Sequence, residues 1–411
     1  MGRLFETFSL DELRLRTSEK WTHYAVDVLP LWVAEMDTPP LDAVVQTVDK
    51  HLRAGDTGYL NGTNERQYME SCRNFCGRHF SFAPNVEHAR LAQDVITALT
   101  GVTHGFLNSH SDLTDNNAVK GVVVVSTPCY PPFVRRVSLG FEIIDAPLAE
   151  DYHFDLQTLE SAFEKAQRLA TENKTRALYI LCNPHNPSGT VPTRVELEKL
   201  AKLSAKYDIA VLADEVHCSL IHPNVEFTPY LSVTGVNAGE TDAVSFQSAS
   251  KGFNLSGLKA AMAIPSASQG AVDAVANAPG ELLASAGQIA TLAHTAAFNK
   301  GDEFLAQLNS EIAENASLAG GIIAHKFPNA KVTQGGSTYF LWVDFSAYMD
   351  IARAKGYDSM TKFLIDEAKV AFTNGENFSL TGNEFRSFVR INLATSRQLI
   401  TLALDRVGSV L

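Results

Sequence analysis

One lysine stands out for its surroundings. The stretch Ser245-Phe246-Gln247-Ser248-Ala249-Ser250-Lys251-Gly252-Phe253-Asn254-Leu255-Ser256-Gly257-Leu258-Lys259 places Lys251 among small, hydroxyl-bearing and apolar residues. A lysine folded into such a setting loses the hydration of its charge. Its pKa falls, and the neutral amine is a nucleophile that forms a Schiff base with an aldehyde. Ser248, three residues before, and Lys259, eight after, are placed to hold an anionic group beside that aldehyde.

Other polar residues must reach the same place for chemistry to occur, and the apolar runs say how. Gly121–Pro128, Ala177–Cys182, Ile209–Ala213 and Ala243–Phe246 are short, continuous apolar runs of the kind buried parallel strands show. Helical spacing separates some of them, as in Arg194–Tyr207, so the pattern is strand–helix alternation and the expected class is α/β with a mostly parallel sheet. Ligands of such sheets bind beyond the carboxyl ends of the strands. The residues just past each run are Tyr130-Pro131-Pro132, then Asn183-Pro184-His185-Asn186-Pro187-Ser188-Gly189, then Asp214-Glu215-Val216-His217, then Ser248 and Lys251. An aromatic, an amide, an acid and a lysine are thereby expected on one edge. Leu91–Leu99 reads as a strand end turning into a helix, whose first N–H groups, near Val95 and Ile96, suit an anion.

Helical spacing is also expected over Leu41–Arg53, Gln67–His79, Leu282–Asn299 and Glu303–His325. Thr338–Phe345 and Phe388–Leu393 read as half-buried strands, and Gly335-Gly336 and Gly382-Asn383-Glu384 as plain turns. The expected organisation is a large α/β domain, 45–288, with a smaller α+β domain built from 1–44 and 289–411; the edge falls near 280–295.

This set suits pyridoxal phosphate. Asp214 would keep a pyridine nitrogen protonated so that the ring drains electrons from a carbanion. Asn186 would donate to the ring hydroxylate, Tyr130 would stack on the ring, and Ser248, Lys259 and the amides at Val95 and Ile96 would take the phosphate. Arg390, within an apolar strand of the second domain, would bind a substrate carboxylate by two parallel bonds.

Asn183–Thr190, Asp214–His217 and Ser248–Lys251, in that order, resemble the motifs of fold-type I pyridoxal-phosphate enzymes, and the implied fold is aspartate aminotransferase-like. Three further segments are similar to the cystathionine β-lyase (C–S lyase) branch often called MalY/PatB: Trp32-Val33-Ala34-Glu35-Met36-Asp37, Thr127–Phe133, and Phe253–Leu258. The similarity covers about Thr17 to Arg397. It implies cleavage of L-cystathionine or related cysteine S-conjugates to a thiol such as homocysteine, pyruvate and ammonia, with a place in methionine synthesis. It also implies a homodimer in which Tyr59 reaches the phosphate of the other copy's site, backbone near Ala34 that helps Arg390, and a catalytic set of Lys251, Asp214, Tyr130 and Tyr59. Class I/II transamination is the main alternative implied, and a regulatory pyridoxal-phosphate-binding protein a lesser one. The chain departs from the usual pattern at Asp94, where many members have glycine, and at Thr38, where many have phenylalanine and which is expected to alter the substrate pocket. His217 replaces the tyrosine frequent in aminotransferases and is common among the lyases.

Composition narrows the partners. Of 411 residues, 45% are apolar, and the net charge is −12 with no basic run, which argues against nucleic acid. No run of 18 apolar residues is present, so no membrane partner is expected. Met1–Glu6 lacks a signal-peptide core, and Glu6 stands where a myristoylation signal requires Ser or Thr. Five scattered cysteines fit reduced thiols and a cytoplasmic setting. Cys72, Cys76 and His79 lack a fourth ligand and read as helix residues, so no metal is expected. There is no G-x-S-x-G, Walker A or G-x-G-x-x-G motif.

Overall fold

The computed structural model describes residues 2–107, 121–283, 286–333, 335–382 and 384–411. Near its start a two-residue strand, β1 (Leu29–Pro30), precedes a seven-stranded sheet. That sheet is made of β2 (Arg90–Ala92), β3 (Val122–Val125), β4 (Glu142–Asp145), β5 (Ala177–Cys182), β6 (Ile209–Asp214), β7 (Ala243–Gln247) and β8 (Ala261–Pro265), ordered β2-β8-β7-β6-β5-β3-β4. Strands β4, β3, β5, β6 and β7 run parallel, and β8 is antiparallel to both its neighbours. The apolar runs are continuous because both faces are covered. Val122, Val124, Tyr179, Leu181 and Val211 pack on one side with the helices Gly62–Phe80, Leu156–Glu172 and Arg194–Tyr207. Val123, Val125, Leu178, Ile180 and Leu212 pack on the other with Val95–Leu107 and Gln269–Asn277. These last two helices touch at Gly105, where a Cβ would run into the carbonyl of Ala274.

The reversal at β8 fixes the loop that carries Lys251. Because β8 starts where β7 ends, with Gln247 opposite Met262, the Ser248–Ala260 loop is tied down at both ends on the carboxyl edge of the sheet. Ser248 Oγ closes its base by donating to the Ala260 carbonyl at 2.7 Å.

A second, antiparallel sheet contains β9 (Lys331–Val332), β10 (Phe340–Asp344), β12 (Thr373–Asn374) and β13 (Phe388–Asn392), ordered β12-β13-β10-β9, while β11 (Val370–Ala371) pairs in parallel with β1. The expectation of half-buried strands here is corrected: β10 is buried throughout, and so is β13 beyond Phe388. One face packs Leu341, Val343, Val389 and Ile391 with residues of the helices Asp302–Lys326 and Arg397–Gly408. The other turns Phe340, Trp342 and Arg390 inward, where Trp342 meets Phe378 and Phe388 at ring-centroid distances of 5.3 and 5.1 Å. Gly335-Gly336 is also more than a turn. Gly336 donates to the Gly189 carbonyl at 3.0 Å, and a Cβ on Gly335 would strike the Ser188 carbonyl, so the pair pins the loop after β5. Asn383, in the other expected turn, lies outside the described residues.

Helix limits shift for local reasons. The Gln67–His79 helix starts at Gly62, because Asn61 accepts from the amides of Thr63 and Asn64. The Leu282–Asn299 helix begins only at Gln288. Cys72 and Cys76 are buried on the first of these, and His79 bonds Asp302 at 2.9 Å. Among the described residues, no group of three or more His, Cys, Asp or Glu side chains is placed to hold a metal ion, and no helix is long and apolar enough to cross a membrane.

Candidate active site

The carboxyl edge of the large sheet opens into a cavity of about 360 Å³, roofed by Arg390 of β13 and by the Trp32–Asp37 segment. That segment is pinned from several directions. Asn392 Nδ2 donates to the carbonyls of Val33 and Glu35 at 2.6 and 2.7 Å. Asn254, at φ 55°, exchanges two 3.0 Å bonds with the backbone of Met36. Lys20 and Asp37 form a fully buried pair at 2.6 Å, which Trp21 Nε1 joins at 3.0 Å. Ala34 is thereby held on the cavity wall.

Lys251 projects from the Ser248–Ala260 loop, and its Nζ donates to Ser256 Oγ at 3.3 Å. Burial lowers its pKa to about 8, with the Arg390 charge adding to the effect and Asp214 opposing it. Asp214 ends β6 and accepts from the Val216 amide at 3.1 Å. Its pKa is raised to about 6 by burial, less what that hydrogen bond and Lys251 return. His217 lines the same wall; burial drives its pKa well down, and its Nδ1 has no partner among the described residues. It is therefore a neutral ring that adds no charge beside Lys251.

On the opposite side, Tyr130 lines the cavity with its phenol pKa raised by burial. Asn186, 4% exposed, bridges to the roof: Arg390 Nη1 donates to its Oδ1 at 2.7 Å. The other arm of the guanidinium, Nη2, donates to Thr373 Oγ1 at 3.1 Å and the Trp32 carbonyl at 3.4 Å, and the Arg390 Cζ lies 3.9 Å from the Phe340 ring centroid. Arg390 Nε has no partner among the described residues. At the far end of the cavity stand Val95 and Ile96, the first turn of Val95–Leu107, with Ser248 and Lys259. Asp94 is there too, but turned into local bonds. Its Oδ1 takes the Thr97 amide at 2.8 Å and its Oδ2 takes Lys259 Nζ at 3.1 Å. Burial pulls its pKa up, and these partners outweigh that and lower it.

The residues expected to meet within one chain line this cavity; Tyr59, expected at the other copy's site, and Thr38 do not. Tyr59 is fully exposed, on the loop before Gly62, and does not line this cavity. Thr38, expected to shape the pocket, is buried away from it, with Oγ1 unpartnered among the described residues. The structure adds Arg136 and Thr373, which no motif marks, and gives a place at the site to Glu35 and Ser256, which the Trp32–Asp37 and Phe253–Leu258 segments contain without singling them out. It also adds Glu215, buried behind Asp214, which accepts from Asn183 Nδ2 (3.1 Å), the Tyr230 amide (2.7 Å), Ser245 Oγ (2.6 Å) and Gln247 Nε2 (2.9 Å). Burial raises its pKa to about 7 against these donors, and the cluster locks together the ends of β5, β6 and β7 that carry Asn186, Asp214 and Lys251. The signal is present in the sequence: polar residues at the ends of three adjacent apolar runs can only satisfy one another.

One cavity thus brings together an aromatic, a carboxylate, an amine, a guanidinium and a helix N-terminus. The family model for aminotransferase class I and II matches residues 26–407. The chain belongs to that family. Within the family, it is 29% identical over 408 residues to a cystathionine β-lyase of Corynebacterium glutamicum, covering 98% of this chain and 99% of the relative. It is 29% identical over 415 residues to the cystathionine β-lyase PatB of Bacillus subtilis, with 98% and 99% covered. The structure of a pyridoxal-phosphate-bound C–S lyase from Staphylococcus hominis superposes with a TM-score of 0.84 at 22% identity, covering 100% and 98%, which is a likeness of fold. The aspartate aminotransferase-like arrangement expected from the motif order is the fold of this family member.

Proposed function

We propose that this chain is a pyridoxal-phosphate-dependent carbon–sulfur β-lyase, cleaving L-cystathionine or related cysteine S-conjugates to a thiol, pyruvate and ammonia. The observation that carries this reading is one cavity in which a buried amine with a pKa near 8, a buried carboxylate and a braced guanidinium meet. The residues fit the cofactor: His217 Nδ1 and Arg390 Nε, both without a hydrogen-bond partner among the described residues, and a helix start beside Lys259 are groups that a polar ring, a substrate and an anion would engage. When bound, pyridoxal phosphate supplies an aldehyde for Lys251 and a ring that takes up the electron pair left by Cα deprotonation.

The chain's own residues do the rest. Ser248, Lys259 and the first amides of Val95–Leu107 would hold the phosphate, Asp214 would anchor the ring nitrogen, Asn186 would meet the ring hydroxylate, and Tyr130 would cover the ring face. Arg390 fixes the substrate carboxylate, which sets the Cα–H bond toward Lys251. Lys251, neutral in a useful fraction of molecules near pH 8, takes that proton. The thiolate then leaves Cβ, with Lys251, Tyr130 or the Tyr59 of a second copy returning a proton. The aminoacrylate product hydrolyses to pyruvate and ammonia.

The full exposure of Tyr59, which does not line its own chain's cavity, supports a homodimer in which it serves the other copy. The pairing of β1 with β11 supports grouping 1–44 with 289–411 apart from 45–288. A cytoplasmic place in methionine metabolism goes with the same reading and with its five unpaired cysteines. The test is to incubate purified protein with L-cystathionine and no keto acid. Pyruvate and ammonia in equal amounts support the lyase; product only after a keto acid is added means transamination. Sedimentation at micromolar concentration tests the dimer.

A further inference from the structure

Resting on the lyase reading, we propose that Arg136 and Glu35 recognise the leaving half of the substrate. The cavity then selects thioethers whose leaving group carries its own carboxylate and ammonium over those with a plain alkyl leaving group. Two charged side chains with no hydrogen bond or ion pair among the described residues point there, although Glu35 also lies close enough for its charge to act on Lys251. The cavity wall holds four cationic side chains: Lys251, Lys259, Arg136 and Arg390. Lys251 and Arg390 are committed at the reacting end, and Lys259 is paired with Asp94 at the phosphate end. Arg136 alone among them has no hydrogen bond or ion pair among the described residues. The same holds for the acids. Asp214 is bonded by the Val216 amide and Asp94 by Thr97 and Lys259, whereas the Glu35 carboxylate has no such partner among the described residues.

An exposed arginine is ordinarily a solvated surface residue. What marks Arg136 is its place on the wall of the substrate cavity, where its guanidinium has no carboxylate partner among the described residues and is open to a ligand. Both ends of L-cystathionine are zwitterionic. The reacting end is met by Arg390 and Lys251; the far end brings one carboxylate and one ammonium. Arg136 offers the forked donor that suits the first, and Glu35 the anion that suits the second. Glu35 is also placed by structure and not by chance, since its carbonyl is clamped by Asn392 in the pinned roof segment. An S-alkyl cysteine gives these two residues nothing to bind, and discrimination comes from that difference.

The experiment compares kcat/KM for L-cystathionine and S-ethyl-L-cysteine in wild type, Arg136→Gln, Arg136→Lys and Glu35→Gln. The expected result is that the cystathionine preference falls about two- to fivefold in Arg136→Gln, as for a partly solvated ion pair, falls also in Glu35→Gln, and is partly restored in Arg136→Lys. A preference that does not change, or an equal loss for both substrates, overturns the proposal. Calorimetric binding of the two thioethers to cofactor-loaded Lys251→Ala protein, with and without Arg136→Gln, supplies a second readout. Should wild type release no pyruvate from either thioether, the lyase reading falls, and this binding ratio still decides the role of Arg136.

Discussion

Arg390 Nη1 and Asn186 Oδ1 lie 2.7 Å apart, in a hydrogen bond that joins β13 to the loop after β5. A guanidinium only donates, so the amide oxygen faces Arg390 and Nδ2 is the end left to donate. The residue assigned to the substrate carboxylate therefore sets the orientation of the residue assigned to the cofactor hydroxylate. Asn186→Asp keeps the shape but replaces that donor with an anion and neutralises Arg390 in place. The expected outcome is a weakened visible absorption band together with a KM for amino acid substrates raised roughly 10- to 100-fold. Absorbance titration and steady-state kinetics on one preparation check both; a change in only one of them breaks the proposed coupling.

Lys251 has a pKa of about 8 because burial disfavours its charged form. The sign follows directly: the neutral nucleophile dominates above that value, and at pH 7 roughly a tenth of molecules hold it, against fewer than about one in a thousand for an ordinary lysine. In cofactor-free protein, borohydride trapping of pyridoxal phosphate on Lys251, read by mass spectrometry from pH 6 to 10, is expected to rise and then level off near 8 to 9. A rise that continues to pH 10 would refute a pKa lowered by burial.

Much of the fold and site is legible in the sequence. The four apolar runs are β3, β5, β6 and β7, because residues buried on both faces have no polar alternation to blur them. Lys251, Asp214, Asn186 and Arg390 are legible because each polar residue ends, interrupts or closely follows such a run. What escapes is set by tertiary contact. Strand β8 looks like a continuation of the lysine loop until its antiparallel pairing with β7 is known. The burial of β10 depends on Trp342 meeting Phe378, which is 36 positions away in sequence. Arg136 sits in a plain Arg135-Arg136 pair, and only the cavity distinguishes it.

Asp214 is held at a cost to the fold. Its folded-state pKa of about 6 lies above the ordinary 3.8, mainly through burial. A raised carboxylate pKa means that the folded state favours the protonated form. The destabilisation therefore grows as pH rises from about 4 and is fully present above about 6. Asp214→Asn removes it. The cofactor-free chain is expected to gain about 2–3 kcal/mol at pH 7 to 8, a rise of several degrees in melting temperature, shrinking as the pH approaches 5. The same variant is expected to bind the cofactor more weakly, since the ring nitrogen loses its anion. Melting curves across pH check the first, and a variant no more stable at pH 8 than wild type contradicts it.

Asp94 stands where many relatives carry glycine, and its carboxylate sits at the start of Val95–Leu107. Two interactions keep it in place: Oδ1 caps Thr97, and Oδ2 pairs with Lys259. A phosphate arriving at that helix start has to share Lys259 with a standing negative charge. The repulsion between partly solvated charges at such range is on the order of 1 kcal/mol. Asp94→Asn retains the cap, because the asparagine Oδ1 accepts from the same Thr97 amide and hydroxyl, and removes only the charge. The expected outcome is a three- to tenfold lower dissociation constant for pyridoxal phosphate, with the gain narrowing at high salt as screening takes over. Asp94→Ala, which also loses the cap, is expected to bind more tightly than wild type while melting at a lower temperature. Equilibrium dialysis of the cofactor at two ionic strengths measures this directly. Weaker binding by Asp94→Asn would mean that the carboxylate positions Lys259 for the phosphate instead of competing with it.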